Sequence, residues 1–268
     1  MRIIFIGDIF GKIGRRTVVE IMPKWRKKYK PDFVIGQNEN LAHGIGMTKK
    51  TVSEVLTVGF DALTGGNHTF KGEGQKLLED HTLPLLRPAN YPPAVPGRGE
   101  LVIASQDGAF RLLVVNLIGR VFFKENFDDP FRTLDAILAG HASEKLNGIF
   151  VDFHSEATSE QNALGNYADG RVSAVVGTHT HIGTVDARVL PNGTAFVTDV
   201  GGVIAIDSVI GEKKENIIKS FLRQQPFDHE PVEEGLANIG AVLIDIDDKT
   251  KKARSIKRID EQLIIMPK

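Results

Sequence analysis

The chain lacks cysteine entirely, and this absence removes several kinds of site at once. Without thiols there is no disulfide, no thiolate zinc site, no iron–sulfur cluster and no cysteine nucleophile. Long apolar runs are missing too, since no stretch reaches the roughly eighteen apolar residues of a membrane-spanning helix. The apolar run at the N-terminus is too short for a signal-peptide core. We therefore expect a cytoplasmic protein with no membrane partner.

An excess of charge of one sign is also absent. The 268 residues include 33 lysines and arginines against 34 acidic residues, which gives a formal net charge of −1. Such a balance creates no general attraction to a polyanion, so composition does not support a nucleic-acid partner. Hydrophobic residues make up 41% and charged residues 25% of the chain, as in ordinary soluble globular proteins.

Short apolar runs alternate with segments of helical periodicity along most of the chain. The predicted buried strands are 2–7, 32–36, 60–64, 148–153 and 172–177. The predicted helices are about 15–29, 48–58, 71–81, 130–141, 156–167 and 214–224. Pro23 is expected to kink or split the first helix. Strands and helices that alternate at these lengths are typical of βαβ units and a mainly parallel sheet.

Other segments predict antiparallel pairs around turn residues. Hairpins are expected at 100–116, 188–197 and 241–258, the first around Asp107-Gly108. A proline-rich segment from Pro84 to Pro96 should be irregular. No repeat or linker divides the chain, so we predict one domain over residues 1–268, of the α/β class, with two mixed sheets.

Five apolar runs stop at side chains that bind metal ions. In chain order these side chains are Asp8, then Glu39 and Asn40, then Asn67 and His68, then His154, and finally His179 and His181. In an open α/β sheet, residues just beyond the carboxyl ends of strands converge on one crevice. Carboxylates, amides and imidazoles in one place suit a pair of divalent transition ions. The residues therefore predict a dinuclear metal hydrolase.

Each of these motifs alone has an ordinary structural interpretation. A carboxylate or amide at a strand end is commonly a helix cap or a turn residue, and His154 could be a hydrogen-bonded core histidine. His179 and His181 form the sharpest local signal, because this spacing in an extended segment puts both rings on one side. The remaining histidines are interpreted as ordinary polar residues; they are His43, His81, His141 and His229.

Competing motifs are incomplete. The segment from Gly7 to Lys12 has the wrong spacing for a P-loop, and Ile13 stands where a hydroxyl residue would hold magnesium. The pair Gly44 and Gly46 does not complete a dinucleotide-binding fingerprint. There is also no nucleophile-elbow motif.

The order of the strand-end motifs resembles that of the calcineurin-like metallophosphoesterases and, within them, the YmdB-like family of bacterial phosphodiesterases. The matching motifs are Ile6-Gly7-Asp8, Gly36-Gln37-Asn38-Glu39-Asn40, Gly65-Gly66-Asn67-His68, Asp152-Phe153-His154 and Gly177-Thr178-His179-Thr180-His181. The usual histidine two residues after the first aspartate is Phe10 here, and Glu39 replaces the usual bridging aspartate. Thr69 stands where an acidic residue commonly follows. These departures are themselves similar to the YmdB-like branch.

This resemblance implies a four-layer α/β/β/α sandwich with two bound iron or manganese ions. It also implies a small-molecule phosphodiester as substrate, namely a cyclic nucleotide, with the 2′,3′-type as the first candidate and the 3′,5′-type as the second. Carried over by motif, one ion would be held by Asp8, Glu39, Asn40 and His181, and the other by Glu39, Asn67, His154 and His179. Metal-bound hydroxide would attack phosphorus, and His68 would serve as general acid.

The sequence leaves two other functions open. The same metals could support a phosphomonoesterase or nucleotidase, for which a cationic side chain that binds the terminal phosphate would be expected. Alternatively, the chain could be a regulatory metal-binding protein with little turnover. Association into a homo-oligomer is compatible with either interpretation.

Overall fold

The computed structural model describes residues 1–226 and 228–267. The strands in this part of the chain are β1 (Arg2–Ile9), β2 (Phe33–Gln37), β3 (Ala62–Thr64), β4 (Glu100–Ala104), β5 (Arg111–Ile118), β6 (Gly148–His154), β7 (Ala174–Thr178), β8 (Arg188–Val189), β9 (Ala195–Val197), β10 (Gly202–Ala205), β11 (Gly235–Ile239), β12 (Ala241–Ile246), β13 (Ala253–Arg258) and β14 (Glu261–Ile265). The helices are α1 (Gly11–Tyr29), α2 (Lys49–Leu56), α3 (Gly74–Glu79), α4 (Pro130–Gly140), α5 (Thr158–Ala168) and α6 (Lys214–Arg223).

The first sheet contains eight strands and is built around β1. On one side β1 pairs in parallel with β2, which pairs in parallel with β3. On the other side its first half pairs antiparallel with β12, and its last two residues pair in parallel with β10. Strands β11, β13 and β14 add further antiparallel pairs.

The second sheet contains six strands in the order β4-β5-β6-β7-β9-β8. Its four inner strands are parallel to one another, and antiparallel strands lie at both edges. Both sheets are therefore mixed, as the sequence predicted.

Alternation of side chains along β1 explains how the layers stack. Ile3 and Phe5 point into a core between the two sheets, where the rings of Phe5 and Phe150 lie 5.2 Å apart. Ile4 and Ile6 point the other way and pack with α1 and α2. A third core joins the outer face of the second sheet to α4 and α5. The four-layer α/β/β/α sandwich is thus confirmed.

The structure differs from the sequence predictions in a few elements. Helix α1 continues through Pro23 without being split. Pro23 lies on its exposed side, where water can satisfy the carbonyl group that loses its helical partner. The strands β10, β11 and β14 were not predicted. In the described residues, no helix is long and apolar enough to cross a membrane.

Candidate metal centre

The carboxyl ends of five parallel strands meet at one edge of the two sheets. Strands β1, β2 and β3 come from the first sheet, and β6 and β7 come from the second. The eight side chains predicted from the sequence all lie within one network of short contacts there; they are Asp8, Glu39, Asn40, Asn67, His68, His154, His179 and His181. Their roles as ligands and acid stay predictions, whereas their convergence is a feature of the fold.

One group of potential ligands surrounds His154, which is fully buried. Its Nε2 atom lies 3.0 Å from Nδ1 of His179 and 3.1 Å from Oδ1 of Asn67. The same atom lies 3.3 Å from Oε1 of Glu39. The ligand atoms of Glu39, His154 and His179 all lie within 4.8 Å of one another, close enough to hold one ion.

A second group surrounds His181. Its Nε2 atom lies 3.7 Å from Oδ1 of Asp8 and 3.2 Å from Nδ2 of Asn40, which lies 3.4 Å from Oε1 of Glu39. Glu39 therefore lies between the two groups, in the place of a ligand that would bridge two ions. The Asn40 amide points its nitrogen at this group, so a ligand role requires the amide to turn over and exchange its oxygen and nitrogen.

The ring nitrogen of His154 that points away from the other ligand candidates contacts a buried hydroxyl group. Nδ1 lies 3.0 Å from the hydroxyl oxygen of Thr178, which itself donates to Asp152 at 2.8 Å. The hydroxyl oxygen can therefore accept from Nδ1–H, and Nε2 then presents its lone pair to the site. The amide nitrogen of Gln37, at 3.2 Å from Nδ1, is the more distant neighbour.

In His179 and His181, too, the ring nitrogen that points away from the site has a hydrogen-bond acceptor. Nε2 of His179 lies 3.0 Å from the carboxylate of Glu156, and Nδ1 of His181 lies 2.9 Å from the backbone carbonyl oxygen of Ile210. Metal-binding imidazoles commonly donate their other N–H to a carboxylate or a carbonyl group, which fixes the tautomer. All three rings are thus arranged to offer a lone pair inwards.

Asp8 provides an independent test of whether the site fits a metal ion. Its side chain is fully buried; Oδ2 accepts from the backbone N–H of His179, whereas Oδ1 has no hydrogen-bond partner among the described residues. A buried carboxylate oxygen without a partner is costly. An ion would satisfy it, and this mixture of carboxylates and imidazoles suits divalent transition metals. The residues present therefore fit a metal centre.

A bulge in β1 aims Asp8 at the site. Ile6 pairs with Gly36, whereas Asp8 pairs with Gln37, so Gly7 is an extra residue on β1. Bulges of this kind redirect the following side chain and are common beside active sites. A Cβ atom on Gly7 would lie 1.8 Å from the carbonyl oxygen of Gly201, so only glycine fits there.

The buried carboxylates and imidazoles of the site shift one another's pKa values. Burial would lower the pKa of His154, but the neighbouring carboxylates, Glu39 foremost, together outweigh burial and raise that pKa to about 9. Burial, together with the charge of His154, lowers the pKa of His179 to about 3. Burial would raise the pKa of Glu39, yet His154 and His68 hold it below its usual range. An ion that binds His154 must therefore displace a proton.

His68 lies beside these groups and differs from them in exposure. Its backbone N–H donates to Oε2 of Glu39 at 2.8 Å, and its Nδ1 lies 2.9 Å from Oδ1 of Asn40. About a third of its side chain is exposed, and it lines a cavity of about 540 Å³ above the metal-binding groups. The outer ring nitrogen, Nε2, is therefore available to a molecule in this cavity.

The prediction that His179 and His181 lie in an extended segment is wrong. Both residues have positive φ angles, 115° and 62°, in a bend that follows β7. The two rings consequently point to different groups, one towards His154 and the other towards Asp8. Both residues predicted from the sequence lie in the network, but alternation along a strand is not what brings them to the site.

Several supporting residues were not predicted from the sequence. They are Gly66, Thr178, Glu156 and Ile210. Gly66 and Thr178 stand in the motifs that carry the family resemblance, although no role was predicted for them. For Glu156 the signal was its position two residues after His154. Ile210 is far from the motifs in sequence, and it contributes a backbone carbonyl, which any residue type could supply.

Comparison with known proteins agrees with this geometry. A family model described as YmdB-like protein matches residues 4–259. The chain belongs to the YmdB-like family. The family resemblance predicted from the strand-end motifs is therefore confirmed.

Individual relatives of this YmdB-like chain cover nearly its whole length. It is 48% identical over 259 residues to the 2′,3′-cyclic-nucleotide 2′-phosphodiesterase of Bacillus subtilis (strain 168), a match covering 97% of this chain and 96% of the relative. A crystal structure of a novel phosphatase from Mycoplasma pneumoniae superposes with a TM-score of 0.89 at 31% identity, covering 98% and 93% of the two chains.

A more distant structure supports the fold alone. A putative 5′-nucleotidase from Staphylococcus aureus superposes with a TM-score of 0.59 at 17% identity, and the match covers 100% of this chain and 55% of that chain. The four-layer sandwich is thus shared with a larger phosphoesterase.

Proposed function

We propose that this chain is a metal-dependent phosphodiesterase that hydrolyses 2′,3′-cyclic nucleotides, with 3′,5′-cyclic nucleotides as the second candidate substrate. The observation that carries the proposal is the convergence of three inward-facing imidazole nitrogens on Glu39 and on the unpartnered oxygen of Asp8. The 48% identity to a 2′,3′-cyclic-nucleotide 2′-phosphodiesterase supports the choice of substrate.

Two ions, iron or manganese, would occupy the two groups of ligands. One would be held by Asp8, Glu39, Asn40 and His181, and the other by Glu39, Asn67, His154 and His179. When bound, such ions supply Lewis acidity and lower the pKa of water towards neutrality. No cysteine or serine nucleophile is then required.

The chain's own residues bind the ester and move a proton. Hydrolysis joins the oxygen of water to phosphorus and breaks the bond from phosphorus to the 2′ oxygen, which must gain a proton. Nε2 of His68 faces the cavity. With the Asn40 amide turned over to bind an ion through its oxygen, the amide nitrogen donates to Nδ1 of His68 and Nε2 carries the ring proton, so His68 is the group that donates this proton. Cleavage of the 2′ ester leaves a nucleoside 3′-monophosphate.

The lining of the cavity favours a diester over a monoester. Within the part of the chain that the structure describes, no lysine or arginine lines this cavity. A terminal phosphate carries up to two negative charges near neutral pH, and proteins commonly bind it with arginine or lysine. A diester carries one negative charge and does not require a lysine or arginine for binding. A diester therefore fits this cavity better than a monoester does.

Hydrolysis of 2′,3′-cAMP by the wild-type protein and two variants tests the proposal. His68→Ala should keep its metal, and its kcat should fall about 10²–10⁴-fold, the usual contribution of a general acid. Glu39→Gln should lose metal as well as activity, because Glu39 serves both ligand groups. Metal analysis by mass spectrometry and product analysis by chromatography give the two readouts.

A histidine away from the site provides the control. His81→Ala, at an exposed position, should match the wild-type protein in both metal and turnover. Loss of metal in His68→Ala would refute the acid role. Cleavage of monoesters alone would refute the diesterase function and favour a phosphatase.

A further inference from the structure

The cavity above the metal centre has two chemically different walls. Its floor carries His68, His179 and His181, whereas one side is apolar and is contributed by the segment after β10. Ile210 and Phe221 belong to this apolar side, together with the buried Ile217. A phosphodiester bound at the floor therefore has its organic part next to an apolar surface.

The apolar wall is unusually exposed. Phe221 is 81% exposed and Ile210 is 46% exposed, although burial of a large apolar side chain generally stabilises a folded protein. Helix α6 buries Ile217 alone among its residues, so Phe221 is not needed for the packing of the helix. An aromatic ring that lines a cavity and lacks cover is suited to stack against a flat ligand.

Ile210 fixes this wall relative to the metal centre. It is a β-branched residue with a φ angle of 49°, a strained conformation for such a side chain. That conformation directs its carbonyl oxygen to Nδ1 of His181 at 2.9 Å. One residue thus orients an imidazole of the floor and presents its own side chain to the cavity. Strain of this kind is typically retained at functional sites.

Few groups on this side of the cavity could recognise the edge of a base. Glu212 is buried, and its carboxylate accepts from the backbone N–H of Glu230 at 2.7 Å and lies 3.3 Å from Nδ1 of His229. The wall therefore offers a surface for stacking with little hydrogen-bonding discrimination. Stacking of this kind accepts every base, because every base has an aromatic face. A purine offers a larger face than a pyrimidine and can therefore cover more of this apolar surface.

We propose that Phe221 and Ile210 form a nucleobase platform, on which the base of the cyclic nucleotide lies while its phosphodiester contacts the metal centre. This inference rests on the proposed function. A cavity of about 540 Å³ is within the usual range for a small-molecule site and has room for one nucleotide. The platform selects purine over pyrimidine nucleotides without distinguishing adenine from guanine.

Kinetics with three diesters test the platform. The substrates are 2′,3′-cAMP, 2′,3′-cCMP and ribose 2′,3′-cyclic phosphate, which has no base. In Phe221→Ala, the preference in kcat/KM for 2′,3′-cAMP over the base-free diester should fall about tenfold, a typical loss for one stacked base. The change should appear mainly in KM, and Phe221→Trp should restore the preference.

Leu222 supplies a matched control. It is the next residue of α6 and is 80% exposed, but it does not line the cavity. Leu222→Ala should keep the wild-type preference. If Phe221→Ala kept it as well, or if both variants changed only the oligomeric state, the exposed face of α6 would be a contact between copies of the chain and the platform would be refuted.

Direct binding separates this inference from the proposed function. Calorimetry can measure the affinity of the metal-loaded protein for adenosine 3′-monophosphate and for ribose 3-phosphate. A wild-type protein that cleaves no cyclic nucleotide would refute the function. The platform would still be supported if Phe221→Ala weakened binding of the nucleotide more than binding of the sugar phosphate. Equal weakening of both, or no weakening, would refute the platform.

Discussion

At the scale of single residues, the metal centre depends on Gly66 having no side chain. A Cβ atom at this position would lie 2.3 Å from Oε2 of Glu39 and 2.4 Å from Nε2 of His154. Both neighbours are buried ligand candidates, so neither can move away without leaving its group.

Gly66→Ala should therefore lose bound metal and, with it, diester hydrolysis, while the fold remains. Metal content by mass spectrometry and far-UV circular dichroism check the two halves of this prediction. Gly140→Ala is the control, because nothing lies within 4 Å of a Cβ atom there. Wild-type metal content in Gly66→Ala would contradict the assignment of Glu39 and His154 as neighbouring ligands.

The sequence predicted the ligand candidates better than their geometry. Residue types that bind metal recur at strand ends, and strand ends are recognisable as short apolar runs, so Asp8 and His154 could be identified without a structure. The positive φ angles of His179 and His181 have no such signal, since they depend on how the bend after β7 meets the first sheet. The hydrogen bond between the carbonyl oxygen of Ile210 and His181 likewise has no signal in the sequence.

At the scale of elements, the first turn of α5 holds the loop that covers one side of the metal centre. Glu160 accepts hydrogen bonds from the backbone N–H groups of Arg120 and Val121 at 2.9 Å and 3.2 Å. The loop continues to Phe123, whose ring lies 5.0 Å from that of His179. The position of this ring is thus coupled to a carboxylate on α5.

Glu160→Ala should lower the free energy of unfolding by about 1 kcal/mol, because it leaves two partly buried backbone donors without their acceptor. Urea denaturation measures this change. Glu160→Gln should lose less, since its amide oxygen still accepts. Glu215→Ala removes an exposed acidic residue from the first turn of α6 and should change stability by less than about 0.5 kcal/mol. Equal effects of Glu160→Ala and Glu215→Ala would show that the loop contact contributes nothing.

The elements missed from the sequence share a physical cause. Strand β10 has four residues and β11 has five, and each is held by partners distant in the chain. Pairing with strands remote in the chain is not encoded locally. Strand length is not the cause, since the three-residue strands β3 and β9 were predicted. The longer buried strands and the α4 helix, which has Asp129 as its cap and Pro130 as its first residue, were recognisable.

At the scale of the whole molecule, the metal centre joins the two sheets. Asp8 and Glu39 come from the first sheet or its loops, and His154 and His179 come from the second. The core between the sheets, with Phe5 against Phe150, sets the distance between these two groups of ligands. Formation of the site therefore requires the two sheets to be packed against each other. That residues 1–268 form one domain stays a prediction.

We propose that the strand-end side chains form a two-ion centre that cleaves phosphodiesters. The most direct measurement is a titration of metal-depleted protein with Mn²⁺ or Fe²⁺ in which bound ions and turnover of 2′,3′-cAMP are followed together. We predict that turnover rises with loading and reaches its plateau at two ions per chain. A plateau at one ion, or turnover that does not depend on metal, would contradict the claim.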